Sequence, residues 1–365
     1  FFKSAKRVGD PYEEVAFRVG DDVAGSIRDA KIPGVQTVRD AWRAYPAGAF
    51  ASQVLGFVGF KGDSREGVYG LERYWNDTLS RDGSGLYVNP FAELFANVEA
   101  LVSADPTKYE GSIITSIEPD AQKELEAALT EFLERYAPKQ VGGIVMDPKT
   151  GEIVAMAVKP DFDPNTYNTV SDPALFSNPL VESVYEMGSI MKPLTVAAGI
   201  DAGVITPRTT YDDKGFIMKS GKRISNFDGK GRGVVSMQEV LSQSLNTGVS
   251  FIVDKMGNER FADYFRAYGL GQETGIDLPN EVPGNITSLE SGSDVDYASA
   301  SFGQSIANTP IATIRALGAL ANDGVLPEPH VVSAVRYESG ISRKITTPPE
   351  TRVLKSETVQ TVTDM

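Results

Sequence analysis

The chain has 365 residues and a formal net charge of −14, with 41% hydrophobic and 23% charged residues. Its length allows two or three domains with a sizeable core, and its acidic balance argues against nucleic acid as a main partner. Because cysteine is absent and His330 is the one histidine, the sequence excludes thiol nucleophiles, disulfides and metal sites built on several histidines.

Lysine is the base that this composition favours for nucleophilic catalysis, since a Ser-His-Asp site would depend on His330 alone. No apolar run approaches the ~18–20 residues that a membrane span needs, and the sequence has no recognisable signal peptide. As the chain opens at Phe1 without a methionine, we expect a fragment whose membrane anchor is missing.

Residues 1–107 form the first predicted domain, which carries no recognisable chemistry and is interpreted as a packing or docking domain. Within it, the apolar run at 54–59 predicts a short buried strand punctuated by glycine. The stretch at 67–74 predicts the opening of a short amphipathic helix.

Residues 108–365 form the second predicted domain, in which the sequence patterns are more regular. The run at 112–117 predicts a strand, and residues 120–135 predict a helix with one apolar face. Two apolar segments, 142–146 and 152–157, flank a turn that Asp and Pro open and Gly closes. This pattern predicts a β-hairpin.

A serine and a lysine three residues apart, Ser189 and Lys192, precede the apolar run at 194–200, which predicts a buried helix. Residues i and i+3 share a helix face, and Pro193 is tolerated in the first turn of a helix. Ser189 is therefore expected near the helix N-terminus, as a nucleophile with a lysine base. Alone the pattern is weak, because a chain of this length contains Ser-x-x-Lys about once by chance.

The segments that follow add a second polar motif. Residues 213–233 predict a Gly- and Lys-rich surface ribbon, and residues 236–245 a helix that runs into Ser244-Leu245-Asn246. A further helix is predicted over 258–268 and a long apolar helix after Thr309-Pro310, with another helix at the end of the chain.

Two motifs in a fixed order carry a resemblance to a known family. Ser244-x-Asn246 follows Ser189-x-x-Lys192 by 55 residues. The stretches that flank them agree with the same family, namely Glu186-x-Gly-Ser, Ser-Leu-Asn-Thr-Gly, Thr-Gly-Ile-Asp-Leu-Pro and Phe302-Gly303-Gln304. The sequence thus resembles the transpeptidase domain of the class B penicillin-binding proteins, and residues 43–72 resemble the non-catalytic pedestal domain of that family.

This resemblance implies an α+β fold. Residues 108–365 would be a transpeptidase domain of the serine β-lactamase-like type, with helices packed on a mostly antiparallel sheet and a truncated C-terminus. Residues 1–107 would be an incomplete N-terminal pedestal of mixed α/β structure and dimerisation type.

The family's third motif, Lys-Thr-Gly, occurs here as Lys149-Thr150-Gly151, but in the wrong place. It precedes the nucleophile, whereas the catalytic copy of the family follows the Ser-x-Asn motif. We therefore interpret Lys149-Thr150-Gly151 as turn residues only and expect the true motif beyond Met365. Met187, and Ile190-Met191 where Thr-Phe is common, depart from the family pattern and predict an altered pocket lining.

The resemblance also implies the roles of four residues. Ser189 would attack the D-Ala-D-Ala end of a peptidoglycan stem peptide, and Lys192 would take its proton. Ser244 would relay a proton to the leaving amine, and Asn246 would orient Lys192 and the substrate amide. No metal and no organic cofactor is needed, and β-lactams should acylate Ser189.

The implied setting is the outer side of a bacterial inner membrane, with a single-pass anchor missing from this chain. A membrane glycosyltransferase of the elongation or division machinery is the implied partner, beside stem peptides and β-lactams and without nucleic acid. Three alternatives stay open: a serine β-lactamase, a D,D-carboxypeptidase that uses water as acceptor, and a cell-wall scaffold with a weak or silent site.

Overall fold

The computed structural model describes residues 15–16, 19–38, 42–61, 64–80, 110–337, 339–346 and 351–365. By its internal contacts the chain divides into two units, Phe1–Tyr45 and Pro46–Met365. The first unit contains helix α1 (Asp21–Asp29), which has two aspartates in its first turn and an arginine in its last. These charges complement the helix dipole.

The second unit combines many short helices with a few longer ones. In chain order they are α2 (Ser52–Leu55), α3 (Gly70–Tyr74), α4 (Asn76–Leu79), α5 (Pro119–Tyr136), α6 (Pro179–Glu182), α7 (Lys192–Asp201), α8 (Met237–Ser242), α9 (Asn246–Met256), α10 (Asn258–Ala267), α11 (Asp294–Ala300), α12 (Pro310–Gly318) and α13 (Ser356–Asp364). Helix α7 is almost entirely buried and contacts α8, α9, α10, α12 and α13.

The strands of the second unit pair antiparallel throughout its described residues. They are β1 (Val58–Lys61), β2 (Ser64–Gly67), β3 (Gly111–Thr115), β4 (Val141–Met146), β5 (Ile153–Lys159), β6 (Thr210–Asp213), β7 (Phe216–Lys219), β8 (Lys222–Ser225), β9 (Gly233–Ser236), β10 (Val325–Leu326), β11 (Val332–Tyr337), β12 (Ser342–Lys344) and β13 (Thr351–Arg352). The pairs are β1–β2, β4–β5, β6–β9, β7–β8 and β10–β13, and β11 lies between β12 and β3.

Two apolar clusters hold the second unit together. One surrounds α7 and includes Leu194, Ile252 and Phe265. The other lies against β5 and β11 and joins Ile153 to Leu71 of α3. Burial of such side chains is the main favourable contribution to folding, so the helical cluster around α7 fixes the part of the chain that carries the serine and lysine.

Most predicted elements are confirmed. The hairpin of β4 and β5, the strand β3 and the helices α5, α10 and α12 lie within one to three residues of their predicted positions. Thr309 caps α12 by accepting the Ala312 N–H, as expected for threonine before a proline-started helix. The predicted α+β class is confirmed as well.

The strand predicted at residues 54–59 is wrong in its first half. Val54 lies in the single-turn helix α2, and β1 begins only at Val58. Ala51 and Gly56, with φ of 50° and 70°, reverse the chain on both sides of this turn. A Cβ at residue 56 would lie 1.8 Å from the Tyr69 carbonyl oxygen. The backbones of Gly56 and Tyr69 therefore approach each other closely here, in place of the extended strand that the apolar pattern suggests.

The boundary predicted between residues 107 and 108 lies outside the described residues and stays a prediction. Residues 46–80, which belong to the predicted first domain, are part of the second unit. Among the helices that the structure describes, none combines the length and the apolar composition required to traverse a lipid bilayer.

A pair of phenylalanine substitutions tests this account of the core. Phe265 is fully buried in the cluster around α7, and Phe227 is fully exposed. Phe265→Ala should lower the free energy of unfolding by about 3–5 kcal/mol because it removes apolar contacts and leaves a cavity. Phe227→Ala should change it by less than about 0.5 kcal/mol. Denaturant unfolding of both variants checks this, and equal losses would contradict the core assignment.

Candidate active site

Ser189 lies in a single 3-10 turn, Gly188–Met191, that leads directly into α7. Lys192 is the first residue of α7, and Pro193 occupies its first turn, where a missing N–H leaves no hydrogen bond broken. Ser189 is exposed, whereas Lys192 is 2% exposed. The sequence prediction of a serine just before a buried helix is confirmed by these positions.

A glycine that is distant in sequence, Gly303, binds the turn that carries Ser189. Gly188 donates its backbone N–H to the carbonyl oxygen of Gly303 (3.0 Å). Gly303 has φ of 76°, and a Cβ at this position would lie 2.3 Å from the Gly188 oxygen. Only glycine fits such a contact, which explains the Phe302-Gly303-Gln304 stretch singled out in the sequence. Glu186 adds a second link by accepting the Ser305 N–H (2.8 Å).

The Lys192 amine lies between the two predicted serines. Its Nζ donates to Ser189 Oγ (3.1 Å), to Ser244 Oγ (2.8 Å) and to the Ser244 carbonyl oxygen (2.5 Å). An ammonium has three donors, and all three are used here. The two motifs that are 55 residues apart in sequence therefore meet at one nitrogen atom.

Burial changes the acid–base chemistry of this amine. Loss of hydration lowers the pKa of Lys192 to about 8, because an apolar environment disfavours the charged form. In the described part of the chain no carboxylate forms an ion pair with Lys192 to reverse this effect. At neutral pH a useful fraction of the amine is therefore neutral and able to accept the Ser189 proton.

Ser244 and Asn246 flank the junction of α8 and α9. Ser244 has φ of 54°, a conformation uncommon for serine that ends α8 earlier than predicted. Asn246 donates one side-chain N–H to the Ser225 carbonyl oxygen (2.9 Å). No other described residue binds this side chain, so its second N–H and its oxygen can serve a ligand. The predicted contact of Asn246 with Lys192 does not occur among the hydrogen bonds of the described residues.

The ribbon of β6 to β9 contains the segment 213–233 that was predicted as surface structure. Most of this segment is exposed, but the burial of two of its polar residues was not foreseen. Asp213 and Asn226 are 2% and 4% exposed and bind Thr247, next to Asn246. Nothing in the sequence distinguishes these residues from those of a solvent-exposed hairpin. Only the fold reveals that the ribbon reaches the site.

A cleft of about 460 Å³ opens above the two serines. Its lining includes three of the four predicted site residues, while Lys192 lies beneath it. The opposite wall comes from the ribbon and carries Phe227, whose ring is fully exposed, and Arg232. Asp228 pairs with Arg232 (2.8 Å), and this hydrogen bond lowers the pKa of Asp228 to about 2.

The remaining sequence candidates lie elsewhere. Lys149-Thr150-Gly151 forms the turn between β4 and β5, where Asp147 accepts the Lys149 N–H (2.8 Å), and does not line the cleft. His330 Nδ1 lies 2.8 Å from the Glu328 carbonyl oxygen, also away from the cleft. Across the described ranges no group of three or more acidic or histidine side chains is arranged to hold a metal ion.

Known proteins are similar to this chain in sequence and in fold. Residues 141–365 match the family described as penicillin binding protein transpeptidase domain. Stage V sporulation protein D of Bacillus subtilis is 31% identical over 338 residues, which cover 90% of this chain and 52% of the relative. The probable peptidoglycan D,D-transpeptidase FtsI of Caulobacter vibrioides is 30% identical over 303 residues, covering 83% of this chain and 46% of the relative.

The chain spans about half the length of these curated relatives. A solved structure, penicillin binding protein 3 from Mycobacterium tuberculosis in complex with ampicillin, has a TM-score of 0.74 and 26% identity, covering 88% of this chain and 66% of that one. The family match includes the Ser189 turn, Lys192 and the Ser244-x-Asn246 junction. The chain belongs to the penicillin-binding protein transpeptidase family.

Proposed function

We propose that this chain is the transpeptidase part of a peptidoglycan D,D-transpeptidase, which crosslinks stem peptides through an acyl-enzyme on Ser189. The observation that carries the proposal is the position of Lys192 Nζ, 3.1 Å from Ser189 Oγ and 2.8 Å from Ser244 Oγ. The name of the Caulobacter relative supports the choice of peptidoglycan as substrate.

The first half-reaction forms an ester. Ser189 Oγ attacks the carbonyl carbon of the penultimate D-Ala, and Lys192 takes the hydroxyl proton. When the tetrahedral intermediate collapses, the peptide bond breaks and a proton passes through Ser244 to the nitrogen of the leaving D-Ala. The backbone N–H of Ser189 supplies one oxyanion donor. The second oxyanion donor is assigned to the Lys-Thr-Gly strand that the family resemblance implies.

The second half-reaction forms the crosslink. The amine of a neighbouring stem peptide attacks the Ser189 ester and forms an amide, and Ser189 regains its proton through Lys192. Asn246 makes one side-chain hydrogen bond within the described part of the chain, to the Ser225 carbonyl oxygen, and its remaining N–H and its oxygen are assigned to the backbone amide of the bound stem. The cleft above Ser189 and Ser244 gives room for an extended peptide.

The cellular setting follows from the substrate. Peptidoglycan lies outside the cytoplasmic membrane, so the catalytic residues are assigned to the extracytoplasmic side. A membrane glycosyltransferase of the elongation or division machinery is the proposed partner, since it would supply the glycan strands whose stems are joined.

Covalent labelling by benzylpenicillin tests the proposed acyl-enzyme. A β-lactam mimics the D-Ala-D-Ala end, so intact-mass spectrometry should find one adduct on Ser189 in a version extended through the third motif. Ser189→Ala should abolish the adduct, because the attacking hydroxyl is gone. Ser242 is an exposed serine of the neighbouring helix α8, and Ser242→Ala should keep the adduct. An adduct that persists in Ser189→Ala, or none on the unsubstituted protein, would refute the assignment.

The pH dependence of acylation tests Lys192 as the base. With a pKa of about 8, about a tenth of the amine is neutral at pH 7, and each lower pH unit reduces that fraction about tenfold. The acylation rate constant of the extended version should therefore rise between pH 6 and 8 and level off above pH 9. Stopped-flow measurement with a fluorescent penicillin would show this.

Two lysine variants complete that experiment. Lys192→Met should lower the acylation rate by about 10²–10⁴-fold, the usual contribution of a general base. Lys255→Met, near the end of α9, should keep both the rate and the profile. A rate that is flat from pH 6 to 9 in the unsubstituted protein would exclude the neutral lysine as the base.

A further inference from the structure

A buried polar cluster joins the ribbon to the helix that follows the second motif. Its members are Asp213 at the end of β6, Asn226 after β8, and Thr247 in the first turn of α9. They are 2%, 4% and 0% exposed. Burial of a carboxylate is costly unless hydrogen bonds satisfy it, so the arrangement of its partners shows what the cluster holds in place.

Asp213 is satisfied entirely by hydrogen-bond donors. Its Oδ1 accepts from Gly215 N–H (3.0 Å), Asn226 Nδ2 (3.0 Å) and Thr247 Oγ1 (2.8 Å). Its Oδ2 accepts from Asn226 Nδ2 (3.0 Å) and the Arg232 N–H (3.1 Å). Within the described part of the chain no cation forms an ion pair with it, and the Arg232 guanidinium binds Asp228 and Gln243 instead. The carboxylate thus gathers three ribbon segments and α9 around one point.

Two consecutive ribbon residues hold two consecutive residues of α9. The Ser225 carbonyl oxygen accepts from the Asn246 side chain (2.9 Å). The Asn226 amide oxygen accepts the Thr247 N–H (3.2 Å) and lies 3.1 Å from the Thr247 hydroxyl oxygen, whose proton goes to Asp213. The side-chain orientation of Asn246 and the start of α9 are therefore set by the ribbon. Ser244, which supplies two of the three acceptors of Lys192, lies just before this anchored point.

We propose that Asp213 and Asn226 are positioning residues for acyl transfer. They do not touch the reacting atoms; through Thr247 they fix Ser244 and Asn246 at the place where Lys192 and the substrate meet them. This inference depends on the proposed acyl-transfer function. In a purely structural role, the cluster would only attach the ribbon to α9. The acylation rate of each folded molecule would then not depend on Asp213 or Asn226.

Two matched aspartate substitutions distinguish these roles. Asp213→Asn exchanges an acceptor oxygen for a donor that faces other donors. Asp277→Asn makes the same change at a second buried carboxylate, which accepts the N–H groups of Val331 and Val332 (2.7 and 2.8 Å) away from the cleft. Both should lower stability, because each leaves a buried donor without its acceptor. The acylation rate constant and the dissociation constant of the initial penicillin complex are measured on full-length protein at a temperature where every variant is folded.

We expect Asp213→Asn to lower the acylation rate constant by about 10- to 100-fold, the effect of a misplacement near 1 Å. Its initial dissociation constant should change little, and Asp277→Asn should change neither. If Asp213→Asn acylates within twofold of the unsubstituted protein, the positioning role is wrong. If the unsubstituted protein is not acylated at all, the proposed function fails, and the positioning role falls with it.

Thr247 gives a second test should Asp213→Asn fail to fold. Thr247→Val removes the hydroxyl that donates to Asp213 but keeps the shape of the side chain, and Thr247→Ser keeps the hydroxyl. We expect Thr247→Val to acylate slowly and Thr247→Ser to restore most of the rate. Equal rates for the two variants would overturn the proposal.

Discussion

The amine of Lys192 is taken out of water at the start of a buried helix, and the described residues provide hydroxyl and carbonyl oxygens around it instead of a carboxylate. A carboxylate would stabilise the ammonium and raise its pKa. The absence of one in this part of the chain, together with burial, keeps the pKa near 8. The rest of the second unit excludes water from this nitrogen and holds its three hydrogen-bond acceptors in position.

This arrangement has three independent supports. The apolar cluster around α7 excludes water from below, through side chains such as Leu194. The Gly188–Gly303 contact holds the serine turn from one side. The hydrogen bonds of Asp213 hold the Ser244 junction from the other side. Apolar packing is non-directional, so the two polar supports supply the directional precision that proton transfer over about 3 Å requires.

The sequence was sufficient for the family and the fold class because the local signals were strong, and the same signals predicted four site residues. Ser189, Lys192 and Pro193 share one turn, and the hairpin of β4 and β5 has a turn of Asp, Pro and Gly. The sequence was insufficient where the burial and role of a residue depend on contacts with residues far away in the chain. Asp213 lies in a Gly- and Lys-rich segment whose sequence pattern is typical of an exposed ribbon. Its burial becomes apparent only in the fold, where it binds Thr247. The same reason explains why the apolar run at 54–59 suggested a strand.

The contact between Gly188 and Gly303 limits the ways in which this cleft can vary. Any side chain at residue 303 would push against the Gly188 backbone and so displace the nucleophile. A substitution at residue 303 should therefore displace Ser189, even though Gly303 itself does not line the cleft. Gln304 and Phe227 line the cleft without a backbone contact of this kind, so substitutions there should change the shape of the cleft and leave the serine turn in place.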